Sequence, residues 1–326
     1  MDQTMYSAVK TLLLTSAVLG TLWPAFAEAN PITVADPGYA TAQGTAYVVK
    51  VLLEGQLGKQ VEAVKAASVP VIWEALNRNN GEIDVWTDVW LPNQKAFVDQ
   101  YAGEGGKVKL AANYYAGTQG YCTTKTTADR YAIHSVYDLS DATKAEVFSA
   151  DGKGKGKIWI GAAGWLSTNI ETVRARDYGF ADFFDLQTTD EAVATADLDA
   201  AVKAGTGWIG YCYGPHQNFA RYQLKVLEEP AHDPTSWAFV EPSDPNWLEK
   251  SSIKSAYKDA EIHIAYTRSL AENSPEVAAI LEKVTFTTDD VSKLAFAIAV
   301  EGKAPETAAT EWLTANPEVV ANWLGN

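Results

Sequence analysis

The chain has 326 residues, 47% hydrophobic and 21% charged, an ordinary globular balance with length for about two domains. Lys and Arg total 26 against 41 Asp and Glu, a formal charge of −15. That excess of acid argues against a nucleic acid partner, where basic patches supply most of the affinity, and against docking on an anionic membrane surface.

Met1–Ala27 has the order of a secretory signal rather than of a short buried helix: Lys10 as a weak basic end, an apolar run Thr11–Trp23, then Pro24 and the small-residue site Ala25-Phe26-Ala27. Cleavage there starts the mature protein at Glu28 and removes Asp2 and Lys10 together, so the net charge is unchanged. No later segment offers the roughly 18 consecutive apolar residues of a membrane span, and no stable membrane insertion is expected.

Ile32–Ala35 reads as a first strand, ended by Asp36-Pro37-Gly38. A helical pattern through Tyr47, Val51 and Leu52 stops at Gly55 or Gly58, and Val61–Ala66 reads as a second strand. Pro70 opens a short helix over Val71–Asn77, and Ile83–Val85 is a third strand. Lys107–Ala112 predicts a strand that runs into Tyr114-Tyr115. Lys157–Ile160 predicts another, broken at Gly161–Gly164, and Trp208–Tyr213 a third, ended by Gly214-Pro215. Strands alternating with helices predict an α/β fold with parallel, covered sheets. The C-terminal part reads as helical: Ser274-Pro275-Glu276 is a helix start, and Val291, Leu294, Ala295 and Ile298 line one helical face, as do Ala308, Ala309, Trp312 and Leu313.

Nucleophile elbow, phosphate loop, CxxC and HExxH motifs are all missing. His134, His216, His232 and His263 are scattered without metal-ligand spacing, and no metal or other cofactor is predicted. The acidic pairs Glu228-Glu229 and Asp289-Asp290 read as solvated faces. The acidic stretches Asp182–Asp185 and Glu241–Asp244 lack EF-hand spacing and leave a structural calcium undecided. Cys122 and Cys212 are too few for a disulfide scaffold; they either form one bridge in an oxidising compartment or stand as two buried thiols.

The unusual feature is aromatic, with 11 Trp and 15 Tyr. Trp86 and Trp90 bracket the end of the third strand, Trp165 follows the Gly164 break, and Tyr211 and Tyr213 close the Trp208 strand, whereas Trp73 and Trp312 read as core. Ligands of parallel α/β sheets lie beyond the C-terminal strand ends, and rings gathered there attract a quaternary ammonium through their electron-rich faces.

Four motifs resemble the substrate-binding proteins of glycine betaine, choline and trimethylamine N-oxide importers. They are SVPVIWEALNRNNGEIDVWTDVWLPN (68–93), GKIWIGAAGWLSTN (156–169), GYCYGPHQNFARYQLKVLEEP (210–230) and the ending APETAATEWLTANPEVVANWL. The order is that of the family, and the resemblance runs from Ile32 to the C-terminus, closest to the trimethylamine N-oxide member. It implies a two-lobe periplasmic-binding-protein (type II) fold with a hinge and a ligand cleft, lobe one from 28–112 plus 232–326 and lobe two from 113–231. It carries Trp90, Trp165, Tyr213 and Tyr39 over as the box, with Asp88 and Trp86 beside them. Relatives usually have Trp where Tyr39 and Tyr213 stand. Betaine binders can carry a His at the position of Gln94, so a carboxylate ligand is not favoured.

The implied protein is a non-enzymatic, periplasmic, solute-binding component that hands a small methylated amine to the membrane subunit of an ABC importer. Trimethylamine N-oxide is the first candidate, and choline or glycine betaine the alternatives. An enzyme acting on a methylated amine is the rival, with Asp88 and Glu74 as its nearby acids; a solute sensor on the same fold is another.

Overall fold

The computed structural model describes residues 30–150 and 152–325; the expected leader and the cut before Glu28 lie outside them. In chain order, Ile32–Asp36 (β1), Ala40–Leu57 (α1), Val61–Lys65 (β2), Val69–Arg78 (α2), Val85–Leu91 (β3), Lys95–Tyr101 (α3) and Val108–Thr124 (β4) come first. Lys125–Tyr131 (α4), Ala142–Ala145 (α5), Gly156–Trp159 (β5), Leu166–Asp177 (α6), Phe184–Gln187 (β6), Glu191–Ala204 (α7), Ile209–Gly214 (β7), Gln217–Arg221 (α8) and Leu224–Val226 (β8) follow. The rest is Trp237–Ala238 (β9), Trp247–Lys250 (α9), Ser252–Ile253 (β10), Ala260–Thr267 (β11), Arg268–Asn273 (α10), Pro275–Leu281 (α11), Thr288–Ala299 (α12), Pro305–Ala315 (α13) and Pro317–Leu324 (α14).

One sheet runs β2-β1-β3-β11-β4-β7-β5-β6, with β8 also on β4. β1 is parallel to β2 and β3, and β5 is parallel to β6 and β7, the pattern that alternating strands and helices predict. The 17-residue β4 belongs to both halves: Val108–Gly117 pairs with β11, and Thr118–Thr123 pairs with β7. Each half has its own core. Val34, Leu52, Leu53, Ile262 and Leu294 are among the first lobe's, and Tyr121, Ile158, Phe180 and Ile209 among the second lobe's. The chain is thus a two-lobed α/β protein, and the lobes meet across a cleft. Among the described residues no helix is long and apolar enough to cross a membrane.

Local sequence explains most boundaries. α1 ends where Gly58 takes φ 62, a conformation that costs glycine little. α12 opens with a capping box, Thr287 and Asp290 serving each other's backbone. Asp290 also accepts from Trp312 Nε1 at 3.1 Å, so that acidic pair is half structural. α11 starts at Pro275 as predicted, although the Ser274 side chain makes no capping bond.

Two expectations change, and the open alternative for the cysteines is decided. The third strand runs on to Leu91 because β11 pairs along its free side, so Trp86 and Trp90 both lie within it. Glu229 is not on a solvated face: its carboxylate takes the buried Arg174 guanidinium, which also donates to Glu171 at 2.7 Å and lies 4.6 Å from the Tyr257 ring centroid. The cysteines are joined, Cys122 to Cys212, between neighbouring strands β4 and β7. Neither acidic stretch gathers a metal site; among the described residues no group of three or more His, Cys, Asp or Glu does so. Past Pro230, residues 233–257 pack on α6, with Ile253 N donating to Asp177 at 2.6 Å and Tyr257 OH to Glu171 at 2.7 Å.

Candidate functional site

Four rings stand at the junction of the lobes. Tyr39 precedes α1 and Trp90 lies near the end of β3, both in the first lobe; Trp165 precedes α6 and Tyr213 lies on β7, both in the second. They touch edge to face in a chain. Tyr39 and Trp165 have ring centroids 5.2 Å apart, Trp165 and Tyr213 5.8 Å, and Tyr213 and Trp90 5.6 Å, at interplanar angles of 67°, 81° and 89°.

Asp88 closes the circuit. Its Oδ2 accepts from Tyr39 OH at 2.5 Å and its Oδ1 from Trp90 Nε1 at 2.9 Å, so one carboxylate joins the two ends of the chain of rings. Burial pushes its carboxyl up to about 6, against the lowering pull of those two bonds, and nearby Glu191 adds to the rise. The Tyr39 phenol is driven well above its ordinary value, by burial first and then by Asp88.

Backbone geometry makes room for this arrangement. A Cβ on Gly117 would stand 2.7 Å from the Trp90 ring, so glycine there lets Trp90 lie flat against β4. Gly164, at φ 87, turns the chain into Trp165, and its carbonyl accepts from Val69 N of the first lobe at 3.4 Å.

The remaining walls are polar but uncharged. Asn93 Nδ2 of the first lobe donates to Gln119 Oε1 of the second at 2.6 Å, and Tyr211 OH donates to the same oxygen at 2.8 Å. Gln94 is turned inward: it accepts from Trp73 Nε1 at 2.7 Å and donates to the Asp88 carbonyl at 3.0 Å, tying the box to the core. Val69, Leu166 and Ser167 complete the lining, in which Asp88 is the one charged residue.

Five of the six residues named from the sequence, Tyr39, Asp88, Trp90, Trp165 and Tyr213, therefore line one cavity. Trp86 does not. Between paired positions, β3 advances from Trp86 to Val89 while β11 advances only from Ala265 to His263. The extra residue flips the alternation, and Trp86 turns into the first lobe's core with Trp73 and Val89, fully buried. Asn93, Gln119, Tyr211 and Ser167 line the cavity without having been predicted for it. Their polar types carry no signal along the chain, although Tyr211 stands at the strand end already noted. Glu74, the other acid of the enzyme reading, instead accepts from Tyr101 OH and is absent from the lining.

A two-lobed α/β protein with rings from both lobes around one cavity has the build of the solute-binding proteins. Within that class, the chain belongs to the OpuAC family, the substrate-binding domains of ABC-type glycine betaine transport systems, which residues 30–315 match. It is 29% identical over 148 residues to the glycine betaine/carnitine transport binding protein GbuC of Listeria monocytogenes, 44% of this chain and 40% of that one. It is 29% identical over 140 residues to the glycine betaine-binding periplasmic protein OusX of Dickeya dadantii, 42% of this chain and 41% of that one. The chain thus spans about two fifths of the length of these relatives. The fold is that of a choline-binding protein of an ABC transporter, solved with choline, at TM-score 0.70 and 22% identity over 90% of this chain and 91% of that one. Lactococcal OpuAC closed on glycine betaine gives 0.69 and 19%, over 90% and 99%. These matches reach the family and not its trimethylamine N-oxide member.

Proposed function

We propose that this protein is the exported solute-capturing component of an ABC importer, and that its solute is a trimethylammonium compound with no carboxylate. The observation that carries the second half is Asp88. A negative group already closes the ring of aromatics, and the lining holds no Lys, Arg or His to receive a second one. Methyl groups fill the cage and spread positive charge over the ring faces. The neutral amides of Asn93 and Gln119 and the Tyr211 hydroxyl suit a hydroxyl or an oxide at the other end. Choline and trimethylamine N-oxide meet these terms; glycine betaine brings a carboxylate that would stand near Asp88 without a cationic partner.

The signal-like order of Met1–Ala27 and the periplasmic proteins of the family support a periplasmic site of action, with the membrane subunit of the importer as partner. A role in binding rather than turnover is supported by the substrate-binding domains of the family. We draw the second lobe as 113–257, because residues 233–257 stay on α6.

The test is a titration of the mature protein with choline, trimethylamine N-oxide, glycine betaine and proline betaine, followed by Trp fluorescence. Choline or trimethylamine N-oxide should bind at least about tenfold more tightly than either betaine, a difference of about 1.4 kcal/mol. Tighter binding of glycine betaine than of both would overturn the reading.

A further inference from the structure

Behind the Tyr213 wall lies a second buried carboxylate outside the cavity lining. Glu191, the first residue of α7, accepts from Tyr213 OH through Oε2, and its Oε1 lies 3.2 Å from His216 Nε2. His216 Nδ1 accepts from the Asn218 amide at 3.0 Å, so the proton that the ring must carry sits on Nε2 and points at Glu191. The His216 ring also packs edge-on against Tyr213, with centroids 4.8 Å apart. Glu191, His216 and Tyr213 are each less than a tenth exposed. Burial works against a charge on Glu191, yet His216 and the donors on its oxygens hold the carboxyl below the usual glutamate range.

The two tyrosines of the box are therefore alike, each bonded to a buried carboxylate. Tyr39 gives its hydroxyl proton to Asp88, and Tyr213 gives its own to Glu191. A phenol bonded to a carboxylate carries more negative charge on its ring than a free phenol, and a buried site screens that charge little. Trp90 shares Asp88 through its indole N–H, so Asp88 acts on the first lobe's two rings and Glu191 on Tyr213.

We propose that Glu191 is the second carboxylate of the solute site, a positioning and specificity-determining residue that acts through the Tyr213 ring and biases the box toward a net cation. The inference rests on reading the site as a trimethylammonium cage, and it narrows the solute to a choline-type cation over the neutral trimethylamine N-oxide.

Calorimetry with tetramethylammonium, choline, trimethylamine N-oxide and glycine betaine tests it on the wild type, Glu191→Gln, Tyr213→Phe and the double variant. Glu191→Gln keeps the size of the side chain and removes its charge. It should weaken tetramethylammonium and choline about fivefold while changing the net-neutral ligands less than about twofold, so that the choline preference shrinks. Tyr213→Phe keeps the ring and cuts the link, so the Glu191 change added to it should cost less than about twofold. Equal losses for all ligands would mean that Glu191 only holds the wall in place, and would overturn the inference while leaving the cage reading intact. An undiminished effect of Glu191→Gln in the Tyr213→Phe background would overturn it too. Failure of the wild type to bind either cation would overturn the inference, and failure to bind trimethylamine N-oxide as well would sink the cage reading too. Should Glu191→Gln not fold, Tyr213→Phe alone decides, by the same selective loss of the cations.

Discussion

Asp88 is placed where its charge costs most and serves most. Its carboxyl titrates at about 6, against about 3.9 for an ordinary aspartate. Between those values the folded, solute-free protein holds a proton that the unfolded chain has released. Stability from this group therefore falls as pH rises through that window. A bound cation favours the ionised form and offsets the loss. The rise in melting temperature produced by saturating choline should then be larger at about pH 7.5 than at about pH 5, read by paired thermal melts. Equal shifts, or a larger one in acid, would remove Asp88 from the binding account. Trp90, Trp165 and Tyr213 were legible as aromatics near strand ends, and the resemblance in the motifs around them, with Tyr39 after Gly38, made them a candidate box. Glu191 was not. It meets Tyr213 only after α7 and β7 have folded, across a separation of 22 residues, and an acid at a helix start looks the same whether or not it has such a partner.

Strand β3 shows why an element can mislead. Read with a period of two, VWTDVWL puts Trp86, Asp88 and Trp90 on one face. The extra residue opposite β11 sends Trp86 to the core and leaves Asp88 and Trp90 in the cleft. Trp86→Ala should lower stability by about 3–5 kcal/mol with solute affinity kept, whereas Trp90→Ala should lose about tenfold in affinity with a smaller change in melting temperature. Denaturation and solute titration of both variants check it, and a Trp86→Ala protein that folds well but binds poorly would put Trp86 back in the site. The same sheet hides β11. Its sequence, AEIHIAYT, is buried on both faces and has no glycine or proline to announce it, so the strand that joins β3 to β4 carries little local signal, while β1, β2, β5 and β7 read clearly from their flanking turns.

At the scale of the molecule, the second lobe is fastened internally. The Cys122–Cys212 bond spans 90 residues, and the Arg174 cluster ties α6 to Glu229 and Tyr257. Loop-closure entropy puts the bond at about 4–5 kcal/mol, so reductant should shift the denaturation midpoint well below that of the oxidised protein. An unmoved midpoint would show that the reduced lobe loses nothing. The first lobe has its main core under an α1, α12 and α13 layer whose apolar faces were plain in the sequence, with Asp84 holding Thr33 and Thr267 by hydrogen bonds beside it. The box itself is divided between these bodies. Tyr39, Trp90 and Asp88 travel with the first lobe, and Trp165, Tyr213 and Glu191 travel with the second. On the proposed capture of a solute between the lobes, their parting would divide the cage into two matching corners, each with two rings and one carboxylate. Neither corner alone would surround a solute, so on that proposal the residence time of the cargo would follow how often the lobes separate rather than the grip of any single ring. Unloading would then be a mechanical act: whatever spreads the lobes would also dissolve the site.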